Sequence, residues 1–291
     1  MRTPSRLFGT LAVALSVALA GCDAVDTADL ADDDLADAAL AISDAIATDA
    51  GGVLDDAVAL ASLPDAAKSG HHFGRFGCRA ERESTYEDGT WTTVAECERG
   101  DADGPFYAQF SRTTTRRFLD AAGAPQQERD GAAAAEFAIV EGSGIVRTPR
   151  AERALDAIQS DVSVTGLDTD LVTLNGQFSR EGVNTTTRAR GDRAGASRSV
   201  DYAVEMTATD VQGPVVRGDG RARWRNAVSG TLSGVYTATV TLTSADGETR
   251  TREIERTFEV TFPNEGGRRR ARIAVGGQRF YGDLQTGEVT G

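Results

Sequence analysis

The strongest constraint on this chain is the alternation of apolar and polar residues along most of its length. Around residue 200, Val200, Tyr202, Val204 and Met206 are separated by Asp201, Ala203 and Glu205. Further on, Tyr236, Ala238, Val240 and Leu242 alternate with Thr237, Thr239, Thr241 and Thr243. Ile254, Phe258, Val260 and Phe262 share even positions, while Ala222 pairs with Trp224 and Ala271 with Ile273 and Val275. A period of two places alternate side chains on opposite sides of an extended strand, so each such run buries one sheet face and wets the other. Asp88-Gly89 and Asp246-Gly247 interrupt the runs as hairpin turns do. The pattern predicts a mainly β molecule: an antiparallel meander, in one or more sheets, preceded by an Ala/Asp-rich helical segment.

Register follows from keeping the apolar sets on one face. At Asp246-Gly247 a two-residue turn opposes Val240 to Glu253 and splits those sets. A three-residue loop at 246–248 instead pairs Val240 with Ile254 and Tyr236 with Phe258, and is expected. At Asp88-Gly89 a four-residue loop at 86–89 pairs Thr85 with Thr90 and sets Cys78 opposite Cys97. Strands are also expected at 106–118, at 136–140 and from Leu171 onward, with a loop at 121–131. Thr148 before Pro149 has the form of a helix N-cap, with Leu155 and Ile158 on one side of a short helix. That helix would divide the β region into two sub-sheets near 148–165. Leu174-Asn175-Gly176 and Leu232-Ser233-Gly234 echo one another over too few residues to define a repeat.

The net charge of −13 is unevenly placed. Residues 23–66 hold twelve Asp and no Lys or Arg, Arg2 and Arg6 contribute +2, and the remainder balances 29 basic against 32 acidic residues. An acidic balance argues against a nucleic-acid partner. Within the acidic stretch Leu35, Ala38, Ala39, Ile42, Ala45 and Ile46 recur at helical spacing, Gly51-Gly52 interrupts, and Val53, Leu54, Val58 and Ala61 resume. The expectation is an acidic tether over 22–70 carrying one or two short helices, which either extend by self-repulsion or cover a sheet face. The β domain is then 71–291.

The first 22 residues have the form of an export leader. Arg2 and Arg6 precede an apolar run at 7–20 that is short for a membrane-spanning helix, and the run ends in Leu19-Ala20-Gly21-Cys22. This leader resembles those of bacterial lipoproteins, whose lipobox ends in the cysteine that is lipidated. The resemblance covers the leader alone. It implies a signal peptide at 1–21, an acylated Cys22 (diacylglycerol and palmitate chemistry) as the mature N-terminus, membrane attachment through that lipid, and a place in the cell envelope. With Cys22 set aside, Cys78 and Cys97 form an even pair in an oxidising compartment, and a structural disulfide across the first hairpin is expected.

Motifs for chemistry are few. The chain lacks a Gly-x-Ser-x-Gly elbow, a phosphate loop, a dinucleotide fingerprint and a His-Glu-x-x-His pair, and its two histidines are adjacent at His71-His72. No cofactor or metal site and no catalytic residue is assigned. Asp101-Ala102-Asp103-Gly104 and Asp168-Thr169-Asp170 fall short of the oxygen count of a calcium loop and read as turns. Arg-Gly-Asp recurs at 99–101, 190–192 and 217–219, where Gly-Asp also serves turns. Arg221, Arg223 and Arg225, and likewise Arg250, Arg252 and Arg256, share strand faces; they read as a polyanion strip or as solvated partners of Glu253, Glu255 and Glu259. Arg268-Arg269-Arg270 reads as an exposed basic spot.

The sequence therefore favours a noncatalytic envelope lipoprotein, structural or binding, with no motif that specifies a protein or glycan partner. The alternative is a carrier or sensor of an apolar or acyl ligand in a curved sheet, with Tyr202, Met206, Tyr236, Val240 and Phe258 facing the ligand. A carbohydrate-active enzyme built on paired carboxylates is the third reading. If a helix covers a curved sheet, the outline is similar to the half-barrels of lipoprotein carriers.

Overall fold

The computed structural model describes residues 27–48, 51–61, 72–73, 78–79, 81–187, 195–215, 227–262 and 269–291; at 27–32, 59, 61, 72–73 and 78–79 it describes the backbone. Two helices come first, α1 (Thr27–Ile46) and α2 (Val53–Ala61). Two short strands, β1 (His72–Phe73) and β2 (Cys78–Arg79), pair with each other. The rest is β3 (Glu81–Glu87), β4 (Thr90–Gly100), β5 (Tyr107–Leu119), β6 (Pro125–Gln126), β7 (Ala134–Thr148), β8 (Ala151–Thr165), β9 (Leu171–Thr187), β10 (Ser197–Pro214), β11 (Ser229–Thr243), β12 (Thr249–Phe262), β13 (Arg270–Val275), β14 (Gln278–Asp283) and β15 (Val289–Thr290). Together β3 to β15 form one antiparallel sheet of 13 strands in meander order, with β6 paired to β5 at the side. The expected sub-division near 148–165 is absent: β7 pairs with β8 and β8 with β9 within the one sheet.

The mainly β meander with an N-terminal helical segment is as expected. On β10, Val200, Tyr202, Val204, Met206 and Ala208 are buried while Asp201, Glu205 and Thr207 are exposed. Leu232, Tyr236, Ala238 and Val240 on β11 and Phe258, Val260 and Phe262 on β12 continue the same inner face. Each such large side chain gains about 1.5–3 kcal/mol by leaving water.

The expected short helix after Thr148 is instead strand β8. Thr148 and Ala151 close a tight turn through Pro149-Arg150, with the Ala151 amide donating to Thr148 Oγ1 at 3.1 Å. The spacing of Leu155 and Ile158, which imitates a helix, comes from a bulge between Leu155 and Ala157. An extra residue there moves the inner-face positions from odd to even numbers. A second bulge, between Ala208 and Val211, holds Asp210 at φ 51, and Asn175 Oδ1 accepts from the Asp210 amide at 2.7 Å.

Two hairpin registers differ from expectation. Glu87 pairs with Thr90 and Tyr86 with Trp91, so Asp88-Gly89 is a two-residue turn with both residues at positive φ, 49 and 79. That geometry matches the strand twist and brings the Tyr86 and Trp91 rings together, tilted at 47° with centroids 5.1 Å apart. At the later hairpin Ala238 faces Ile254 and Tyr236 faces Arg256. The Ser244 amide donates to Glu248 O at 2.8 Å, so the loop has three residues but begins at Ala245, one earlier than expected. The even-numbered apolar set keeps its face.

Of the two expectations for the acidic segment, covering a sheet face is the one the structure shows: most of its described residues from Asp34 to Leu60 are buried, with Asp33 and Ala36 exposed. All residues of 41–47 are buried, nearly two helical turns with every side covered. α1 lies against β10, β13, β14 and β15, and α2 against β9. A sheet that covers a helix on several sides must curl around it. Gly51 (φ 67) and Gly52 turn the chain between the helices, and the Gly52 amide donates to Ala47 O at 2.9 Å.

Candidate functional site: the helix-filled inner face

The inner face carries arginines at positions that share the parity of its apolar residues. Arg112 stands between Phe110 and Thr114 on β5, Arg180 follows Phe178 on β9, Arg198 precedes Val200 on β10, and Arg252 precedes Ile254 on β12. The helices supply their partners. Arg198 Nη2 donates to Asp34 Oδ1 at 2.8 Å and to Asp37 Oδ2 at 2.5 Å, and its Nε also reaches Asp37 at 2.8 Å. Arg252 donates to Asp34 as well. Asp34 and Asp37 are one helical turn apart, so both carboxylates meet the same guanidinium.

Further along, Arg180 Nη1 donates to the Asp44 carbonyl at 3.0 Å. Arg112 Nη1 donates to Asp56 Oδ1 at 2.9 Å, and its Nη2 lies 3.6 Å from Asp55 Oδ2. Arg129 Nε donates to the Leu60 carbonyl at 3.2 Å, at the C-terminal end of α2 where the helix dipole favours a cation. The Thr48 amide fastens the end of α1 to the Leu284 carbonyl at 3.1 Å.

Burial shifts several of these groups. Asp56 is fully enclosed, and loss of water raises its pKa to about 7 despite the attraction of Arg112. Asp37 is raised for the same cause, against the pull of Arg198. Burial lowers Arg116, with repulsion from Arg112 adding to it, and burial also lowers Arg153. Tyr236 is raised by burial and by the nearby charge of Asp37. Its ring stacks on Tyr202 with centroids 6.5 Å apart, and its hydroxyl is buried without a hydrogen-bond partner.

The five residues expected to face a ligand are all buried on the inner face: Tyr202 (5% exposed), Met206 (4%), Tyr236 (0%), Val240 (0%) and Phe258 (4%). The space beside them is filled. Between the helices and Met206, Phe178 and Ile158 a cavity of about 10 Å³ remains, too small for any organic ligand.

Arg252 is a correction: it points inward to α1, whereas Glu253, Glu255 and Glu259 alternate to the outside. Arg250 and Arg256 are exposed; Arg221, Arg223, Arg225, Ala222, Trp224, Arg268, His71 and Cys22 lie outside the described residues. Two of the three Arg-Gly-Asp copies also lie outside them. The first ends β4, where Asp101 Oδ1 accepts from the Asp103 amide at 3.0 Å, the turn role expected of that carboxylate. Asp156, Glu181, Asp201, Glu253 and Glu255 line a shallow outer trough of about 460 Å³.

Cys97 is 7% exposed and disulfide-bonded, and β2, which contains Cys78, lies against β4, which contains Cys97. Among the described residues no group of three or more His, Cys, Asp and Glu is placed to hold a metal ion, and no helix is long and apolar enough to cross a membrane.

Sequence reasoning missed the charged pins between helix and sheet. The signal was present as arginines at apolar-parity strand positions, facing a segment with only acidic charges. No protein-family model matches the chain, and neither a curated protein nor a solved structure matches it.

Proposed function

We propose that this chain is a lipid-anchored envelope protein with a noncatalytic, structural or binding role. The observation that supports it is the use of the inner face: its buried arginines are spent on holding the chain's own helices. A site built for acid–base chemistry keeps a titratable group free to reach substrate. Here the two adjacent buried carboxylates, Asp55 and Asp56, both face Arg112. The anchor rests on the lipobox at Leu19-Ala20-Gly21-Cys22 behind Arg2 and Arg6. Membrane contact then runs through the lipid on Cys22, nucleic acid is not a partner, and Cys78 is the partner of Cys97.

Fractionation tests the anchor. Wild-type chain is expected in the membrane fraction and Cys22→Ser in the soluble fraction. A Cys22→Ser chain that stays with membranes overturns the anchor.

A second reading, a carrier or sensor of an acyl ligand, is favoured by one feature. Tyr202, Met206, Tyr236, Val240 and Phe258 are all buried on one sheet face, and α1 lies against β10, the strand that carries the first two. In that reading the described form is the closed one.

A further inference from the structure

We propose that α1 sits in a binding site for an anionic amphiphile, a carboxylate or phosphate head group on an acyl chain, and acts as its internal stand-in. The proposal rests on the carrier reading above and names the ligand class of that site.

The head-group end is defined by Arg198 and Arg252, which converge on Asp34, with Asp37 on the same Arg198 fork. Guanidinium forks take carboxylate and phosphate oxygens with the same two-point geometry, so these arginines serve a ligand head group as they serve aspartate. Arg153 adds a fourth basic side chain on this part of the inner face beside Arg180, within the field of Asp37.

An unspent donor points to the same place. The Tyr236 hydroxyl is wholly buried and unpartnered, in the field of Asp37, Asp34 and Arg198. A buried hydroxyl left without a partner is destabilising. Carboxylates fixed to a helix backbone do not reach it, whereas a ligand oxygen between the arginines and Tyr236 would.

The tail end follows from register. Val200 pairs with Val240, Val204 with Tyr236, and Met206 with Gly234, which in turn pairs with Phe258. From Arg198 to Met206 the strand runs roughly 26 Å at 3.3 Å per residue, an apolar lane leading away from the basic end.

α1 fills this lane with small groups. Ala38, Ala39, Ala41 and Ala45 are four of its buried side chains, beside the larger Ile42 and Ile46. Small side chains bury little area, and buried ion pairs repay much of their gain in lost hydration, so the helix is held weakly for its degree of burial. A ligand that supplies both charge and a long apolar chain competes with it on equal chemistry.

The test uses the full chain with Cys22→Ser and two probes, the fluorescent parinaric acid and its uncharged methyl ester. Asp34→Asn with Asp37→Asn removes the competing carboxylates and is expected to tighten acid binding by about tenfold or more. Adding Arg198→Gln and Arg252→Gln is expected to bring the acid down to the level of the ester.

A cross-link gives an independent arm. A Cβ on Gly282 of β14 would lie 3.0 Å from Ser43 Cβ of α1, so Ser43→Cys with Gly282→Cys ties helix to sheet after a slight shift. The oxidised pair is expected to lose binding and the reduced pair to regain it. Ser43→Cys alone, under the same reductant, controls for reduction of the disulfide at Cys97.

Three results overturn the proposal. Equal binding of acid and ester across all variants removes the head-group site while the carrier reading stands. Undiminished binding by the oxidised cross-link shows that α1 does not occupy the site. Failure of every folded variant to bind either probe removes site and carrier reading together, leaving a structural role.

Discussion

Asp56 shows how a single carboxylate links burial to acidity. Its pKa in the folded chain is about 7, against an ordinary 3.8, because the α2–β5 contact excludes water more strongly than Arg112 compensates. The folded state therefore holds a proton that the unfolded state releases between these two values. Stability from this group is present at low pH and is lost as pH rises from about 4 to about 7. Asp37, also raised by burial, acts in the same direction. Urea midpoints are expected to rise on going from pH 7.5 to pH 5.5, and Asp56→Asn to flatten that rise. An unchanged slope in Asp56→Asn would place the pH dependence elsewhere. None of this was visible from residue counts. Twelve aspartates in 23–66 read as self-repelling, whereas four of them, Asp34, Asp37, Asp55 and Asp56, have counter-charges inside the sheet at Arg112, Arg198 and Arg252.

Among the elements, the strands were legible and the helical segment only half so. Alternation over 200–206 and 236–242 fixes both the strands and the buried face, since a period of two leaves a single choice. It failed at β8 because a bulge adds one residue and so imitates the three-residue step of a helix. The helices themselves were marked by periodicity and by Gly51-Gly52, but their burial was not, because an Ala-rich stripe next to aspartates looks too weak to earn a core position. The inter-helix turn offers a test. A Cβ on Gly52 would stand 2.5 Å from the Ala45 carbonyl oxygen and 2.6 Å from the Ile46 carbonyl carbon, both backbone atoms of α1. Gly52→Ala is expected to cost about 1–3 kcal/mol, the usual range for overpacking, and to lower the melting temperature by several degrees. A melting temperature within one degree of wild type would mean that the turn tolerates the shift.

For the whole molecule, the candidate site could not be read from sequence because its two halves lie at opposite ends of the chain. The five wall residues were found from strand parity; what covers them was not. At the other margin of the sheet, β3 bears Glu81, Arg82 and Glu83, all exposed, which discourages pairing with a second sheet. The disulfide at Cys97 fastens the region next to this margin, and unreduced tryptic digestion is expected to yield a peptide joining Cys78 to Cys97. Free Cys78 thiol in the oxidised protein would refute that pairing.

The bonds from α1 to the sheet also set an order in time. Asp34 is separated from Arg198 by 164 residues and from Arg252 by 218. Contacts of such separation form late, since the entropy of closing the loop must be met before they return anything. α1 is therefore expected to dock only after β10 and β12 have formed, so the element that comes first in chain order takes its place last.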